Sequence, residues 1–86
     1  MVKEEEVGRT DEQRAADYAA MGDCIAIIND VISGDRRSEY SVKDRQDCVD
    51  RNVAHLITVK AMDDWGDEDF TATDAAIAAG NGYTAS

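Results

Sequence analysis

The stretch from Val42 to Met62 constrains the fold of this chain more than any other. Its apolar residues Val49, Val53, Leu56, Ile57 and Ala61 recur at helical spacing, which aligns them on one side of a helix. Asp44, Asp47, Asp50 and Arg51 fall largely on the other side, where water can solvate them. Ser41-Val42-Lys43-Asp44 supplies a start signal, with aspartate where a capping box prefers glutamate. Asp63-Asp64-Trp65-Gly66 supplies a stop. A helix with one apolar face needs something to bury it, and the rest of the chain is read for that partner.

Upstream, Thr10-Asp11-Glu12-Gln13 forms a capping box, a hydroxyl followed three residues later by an amide, with acids in the first turn. From there a helix extends to about Ile32, with Tyr18, Met21, Cys24, Ile25, Ile28, Val31 and Ile32 on its apolar side. Gly22 weakens it by about 1 kcal/mol relative to alanine, and Ser33-Gly34 stops it. Asp35 to Tyr40 is a short polar connection, of the kind that makes consecutive helices antiparallel neighbours. Downstream, Asp67-Glu68-Asp69 places carboxylates at the positive end of a third helix dipole. That helix continues through Phe70, Thr73 and Ile77 to Ala79 and is broken by Gly80-Asn81-Gly82, leaving Tyr83 to Ser86 as a tail. The expected fold is all-α: a small three-helix bundle with an antiparallel helical hairpin and a short third helix. Residues 1–9 are expected to be a charged arm and residues 10–86 a single helical domain. A hairpin turning near Arg37 brings Cys24 and Cys48 within a turn of each other along the bundle, as neighbours at the helix interface.

Composition narrows the functional classes. The absence of proline and the scarcity of aromatics favour helices over sheets. The 86 residues form a core supplying only about 3–5 kcal/mol, so self-association or incorporation into a larger assembly is expected. A net charge of −10 argues against direct binding to nucleic acid or to an anionic membrane, both polyanions. The acidic start, Met1-Val2-Lys3-Glu4-Glu5-Glu6, lacks the apolar core of a signal peptide, and the longest apolar run, Cys24 to Ile28, is too short to span a bilayer. Two cysteines without a secretory signal imply free thiols in a reducing compartment.

No residue pattern points to catalysis. His55 is the sole histidine, at the boundary of the apolar stripe, without a nameable partner for acid–base work. Cys24, Cys48 and His55 lack the local spacing of zinc ligands. An EF-hand with Gly66 at its sixth position would need ligands where Ala61 and Trp65 stand. Gly80-Asn81-Gly82 ends a helix rather than opening one around a phosphate, and Ser33, Ser38 and Ser41 have no histidine nearby. The chain reads as a non-enzymatic protein with no cofactor and no metal.

Two features suggest an interaction surface. Trp65 either closes the bottom of the bundle under the third helix or anchors an interface, where tryptophan is enriched. Residues 61–86 contain six acids and no lysine or arginine, which makes the C-terminal third uniformly negative. The candidate interaction residues are therefore Trp65, Phe70, Tyr83, Asp63, Asp64, Asp67, Glu68 and Asp69.

The runs Arg51-Asn52-Val53-Ala54-His55-Leu56, Lys60-Ala61-Met62-Asp63-Asp64-Trp65, Asp67-Glu68-Asp69-Phe70-Thr71-Ala72 and Ala75-Ala76-Ile77-Ala78-Ala79-Gly80 resemble small uncharacterised proteins of tailed bacteriophages. The resemblance covers the C-terminal part only and implies a phage origin, with no catalytic residues to carry over. Together these features give the expectation of an acidic protein–protein interaction protein, a structural or accessory virion-associated subunit. It would work by self-assembly or on a protein partner, in the virion or the host cytoplasm. The alternative is an acidic inhibitor, a nucleic-acid mimic that blocks a basic host protein such as a defence nuclease. A mimic needs its carboxylates in a continuous exposed band.

Overall fold

The computed structural model describes residues 9–34 and 39–86. Residues 1–8 of the expected arm and 35–38 of the expected connection lie outside the described residues. Three helices follow in order: α1 Asp11–Ser33, α2 Val42–Lys60 and α3 Thr71–Asn81, each packed against the other two. No strand occurs among the described residues. The fold is a small all-α bundle.

The helix ends are set by the chemistry that the sequence offers. The capping box at α1 is complete: Gln13 N donates to Thr10 Oγ1 at 3.1 Å, and Thr10 N donates to Gln13 Oε1 at 2.9 Å. Two of the orphan donors at a helix start are thereby satisfied. Gly34 closes α1 in the left-handed region, φ 92°, its N–H directed at the carbonyls of Asp30 and Val31. Ser41 Oγ accepts from Asp44 N at 3.1 Å and starts α2. Arg9, just before α1, bonds to Asp64, just after α2, so α1 and α2 run antiparallel.

The core comprises Met21, Ile28 and Val31 from α1, Val49, Val53, Leu56 and Val59 from α2, and Ala76 from α3. Cys24, Ile25, Ile32 and Cys48 pack around it, half-buried. On α2 the buried face departs from the one expected. Ile57 is 48% exposed, Ala61 lies beyond the helix and is exposed, and Val59 is buried in their place. The buried positions 45, 49, 53, 56 and 59 step by three or four residues, whereas Ile57 sits one residue, about 100°, around the helix from Leu56. The first member of that stripe is an arginine, Arg45, only 5% exposed.

The third helix also differs from expectation. It begins at Thr71 rather than around Asp67, because the acids before it bind local backbone in non-helical conformations. Glu68 Oε1 accepts from Gly66 N at 2.7 Å, and Asp69 Oδ1 accepts from Thr71 N at 2.9 Å and from Thr71 Oγ1 at 2.7 Å. At its far end α3 passes through Gly80 to Asn81 instead of stopping at Ala79. Gly80 is buried, and a Cβ there would stand 2.2 Å from Val53 Cγ2. It lets α3 lie close against Val49 and Val53 of α2, a packing glycine and not a breaker.

Candidate interaction surface

Most of the candidate residues converge where the start of α1 meets the segment between α2 and α3. Trp65 Nε1 donates to Val59 O at 2.9 Å, and Met62 N donates to the same carbonyl at 3.2 Å. The indole thus shares a carbonyl in the last turn of α2 with the backbone that follows the helix. Phe70 lies edge-on to Trp65 with centroids 5.4 Å apart, and Tyr18 lies edge-on to both, at 6.2 Å from Trp65 and 6.0 Å from Phe70. Such geometry sets the positive ring edge of one aromatic against the negative face of the next. Tyr18 reaches across to donate its hydroxyl to Asp69 O at 2.5 Å, so the tyrosine expected on the α1 apolar stripe is partly exposed and serves as a strap.

Arg9 covers this aromatic trio. Its guanidinium carbon lies 4.3 Å from the Trp65 ring centroid, a cation–π contact. Its Nε donates to Asp64 Oδ2 at 3.0 Å, its backbone N–H to the same oxygen at 2.9 Å, and its Nη2 to Asp64 Oδ1. Nη1 donates to Asp17 Oδ2 at 2.7 Å. The fork of a guanidinium fits a carboxylate at two points. These bonds hold the Asp64 carboxyl well below the usual carboxylate range and push Arg9 further up. Arg9 was expected in the arm, and the structure makes it part of the domain. Asp69 is likewise held below its ordinary value, by its bonds from Thr71.

Of the six acids in residues 61–86, four have partners within the chain: Asp64 with Arg9, Glu68 with Gly66, Asp69 with Thr71, and Asp74 with Lys60. Asp63 and Asp67 are exposed and make no such bond among the described residues. Tyr83 is not part of this cluster. It lies at the opposite end of α2, where Arg45 Nη1 donates to its hydroxyl at 3.4 Å.

That second cluster was not anticipated. Arg45 also donates from Nη2 to Ser86 O at 2.9 Å and from Nε to Tyr40 O at 3.4 Å. Gln46 adds Nε2 to Tyr83 O at 3.3 Å and accepts from Ala85 N at 2.8 Å. Residues 83–86, read as a short tail, are held against α2. The available signal was the position of Arg45, four residues before Val49 and eight before Val53, on the apolar stripe itself.

His55, Cys24 and Cys48 take part in neither cluster. His55 is exposed on α2 rather than at the boundary. Cys24 and Cys48 are free thiols; burial, then the nearby Asp23 charge, raises the pKa of Cys24, which suppresses its nucleophilic thiolate form. Asn52 Nδ2 lies 3.6 Å from Cys48 Sγ. Among the described residues no three His, Cys, Asp or Glu side chains are grouped to hold a metal ion, and no helix is long and apolar enough to cross a membrane.

Beside the aromatic trio runs an open groove of about 350 Å³ between α2 and α3, lined by Ile57, Lys60, Ala61, Asp74 and Ile77. Lys60 Nζ pairs with Asp74 and lies 6.0 Å from the Phe70 ring centroid, which joins this groove to the aromatic corner. Comparison with protein-family models, curated proteins and solved structures finds no match to the chain.

Proposed function

We propose that this chain is a non-enzymatic, acidic protein–protein interaction subunit, a structural or accessory component of a tailed-phage particle that acts through its helical surface. One observation carries the interaction reading: two large apolar side chains, Ile57 at 48% and Met62 at 43% exposure, remain outside the core, and Asp63 and Asp67, exposed after α2, make no bond within the described residues. An apolar centre with a charged rim is the anatomy of a protein interface. The phage setting comes from the sequence resemblance of the C-terminal part.

The partnering of Asp64, Glu68, Asp69 and Asp74 within the chain favours this reading over the duplex mimic. A mimic presents free carboxylates in a continuous band, and here the run is interrupted by groups that organise the fold. The decisive experiment is gradient fractionation of lysates from the native source, with the protein followed by antibody. Co-sedimentation with particles is expected. Recovery of all the protein unassociated at the top of the gradient overturns the virion assignment.

A further inference from the structure

The groove between α2 and α3 has a composition that specifies its occupant. We infer that it is the docking site for a basic amphipathic helix of a partner protein. The inference rests on the interaction reading above and adds the place and the chemistry of contact. The floor is apolar: Ile57 and Ala61 are exposed on one side and Ile77 is half-buried on the other. Ala76 is the one apolar side chain of α3 that is fully buried, and Ile77 beside it is only half-buried. A fourth helix laid along the groove would bury Ile57 and Ile77 and complete the packing of α3.

Charge selects among helices. Among the described residues the one cation lining the groove, Lys60, is already paired with Asp74. Asp50 lies seven residues before Ile57 on the same face of α2, about 10 Å along the axis. Asp63 lies exposed past the other end of that helix, and residues 61–86 contribute no lysine or arginine. A helix with apolar anchors at i, i+3, i+4 and i+7 and lysine or arginine on its flanks meets both requirements. A second copy of this chain does not, since each copy carries a net charge of −10 and like-charge juxtaposition opposes pairing.

The test uses the full chain and a synthetic peptide of about 16 residues, four to five helical turns, with leucine on one helical stripe and lysine elsewhere. A peptide of the same composition in scrambled order and a version with glutamate for lysine serve as controls. Titration is followed by calorimetry and by NMR of the isoleucine methyl groups. The amphipathic lysine peptide is expected to bind with shifts centred on Ile57 and Ile77, and the two controls to bind at least about tenfold more weakly. Ile57→Lys, at an exposed position, should weaken binding by about tenfold or more while leaving the helical circular-dichroism melt unchanged. Undiminished binding to Ile57→Lys, equal binding of the scrambled peptide, or shifts centred away from the groove would overturn the proposal. So would a dimer of the chain alone that Ile57→Lys abolishes, because the groove would then belong to a second copy. Particle association that survives Ile57→Lys would refute the groove while leaving the interaction role standing.

Discussion

Two arginines hold the two ends of α2, and they do so with different chemistry. Arg45 sits near the start of the helix and Lys60 ends it, a separation of about 22 Å. At the first end Arg45 is buried and donates to main-chain oxygens of Tyr40 and Ser86 and to the Tyr83 hydroxyl. At the other end Arg9, from outside the helices, meets the carboxylates of Asp64 and Asp17 and the face of Trp65. The first tie lies in a drier setting, where each lost bond leaves a polar group without its partner. The second is partly solvated and depends on charge, so salt and acid reach it. A buried guanidinium ties its end through main-chain oxygens and a hydroxyl, while a half-buried fork onto a side-chain carboxylate makes the other end depend on Asp64 staying ionised.

If both ties depend on the shared middle of α2, disrupting that middle must release them together. Leu56 is wholly buried, and Leu56→Asp places an unpaired charge in the core. The variant is expected to be unfolded at 25 °C, with Trp65 fluorescence and the amide protection of Ala85 lost at once. Asp50→Ala, on the solvent side, should alter the melting temperature little. Protection of Ala85 retained in Leu56→Asp would show the ends to be independent.

Arg45→Ala separates the ends. Removing the guanidinium breaks three hydrogen bonds, and a cost of about 2–3 kcal/mol is expected, much of the margin of a domain this size. Urea unfolding measures it. Amide exchange in residues 83–86 should accelerate in the folded state while the Trp65 signal stays native. Arg45→Lys should recover little, because one ammonium cannot span the three acceptors. A variant as stable as the parent would mean that the buried cluster is dispensable.

Two glycines sharpen the view of α2's partners. Gly80→Ala forces a methyl group toward Val53 Cγ2 and should destabilise by about 1–3 kcal/mol, as overpacking does. Gly22, inside α1, has no atom within 4 Å of where its Cβ would stand. Gly22→Ala should therefore stabilise by about 0.5–1 kcal/mol through helix propensity. Equal effects of the two changes would contradict the close approach of α3 to α2.

How much of this was legible in the sequence follows the same division. The helix starts at Thr10 and Ser41 and the stop at Gly34 were readable because capping is local, a side chain bonding backbone three residues away. The antiparallel packing of α1 on α2 followed from a short connection. The roles of Ile57 and Val59 were exchanged because a spacing rule fixes an apolar stripe only to within about one residue, and tertiary contact with α3 decides its centre. Gly80 was misread as a breaker because a sequence does not show what a glycine faces. The two arginine ties were invisible for a related reason: Arg9 and Asp64 stand 55 residues apart, and Arg45 and Ser86 stand 41 apart. The acidic run was legible as charge but not as structure, since four of its members are engaged within the chain.

The smallest effect is the most specific to the Arg9 end, and it concerns acid. The Asp64 carboxyl is held below its unfolded value, first by the side-chain bonds from Arg9 and then by the Arg9 backbone N–H. A carboxyl lowered by folding contributes stability that is fully present above its unfolded pKa of about 3.9 and is lost as the pH falls through its lower folded value. The parent should therefore lose stability progressively as the solution is acidified below about pH 4–5. Asp64→Asn lacks this ionisable group, retains one acceptor oxygen and loses the charged fork. It should be less stable than the parent at pH 7 and converge on it in strong acid. A residual acid dependence remains in the variant, because Asp69 and Asp47 are also held below their ordinary values, by Thr71 and Lys43 respectively. Arg45→Ala, by contrast, retains the fork between Arg9 and Asp64 and should keep the acid loss that Asp64→Asn removes. Urea titrations at neutral pH and at steps down to about pH 2 measure all three proteins. Parallel curves for the parent and Asp64→Asn would show that the fork between Arg9 and Asp64 does not couple protonation to folding, and the acid dependence assigned to the Arg9 end would fail.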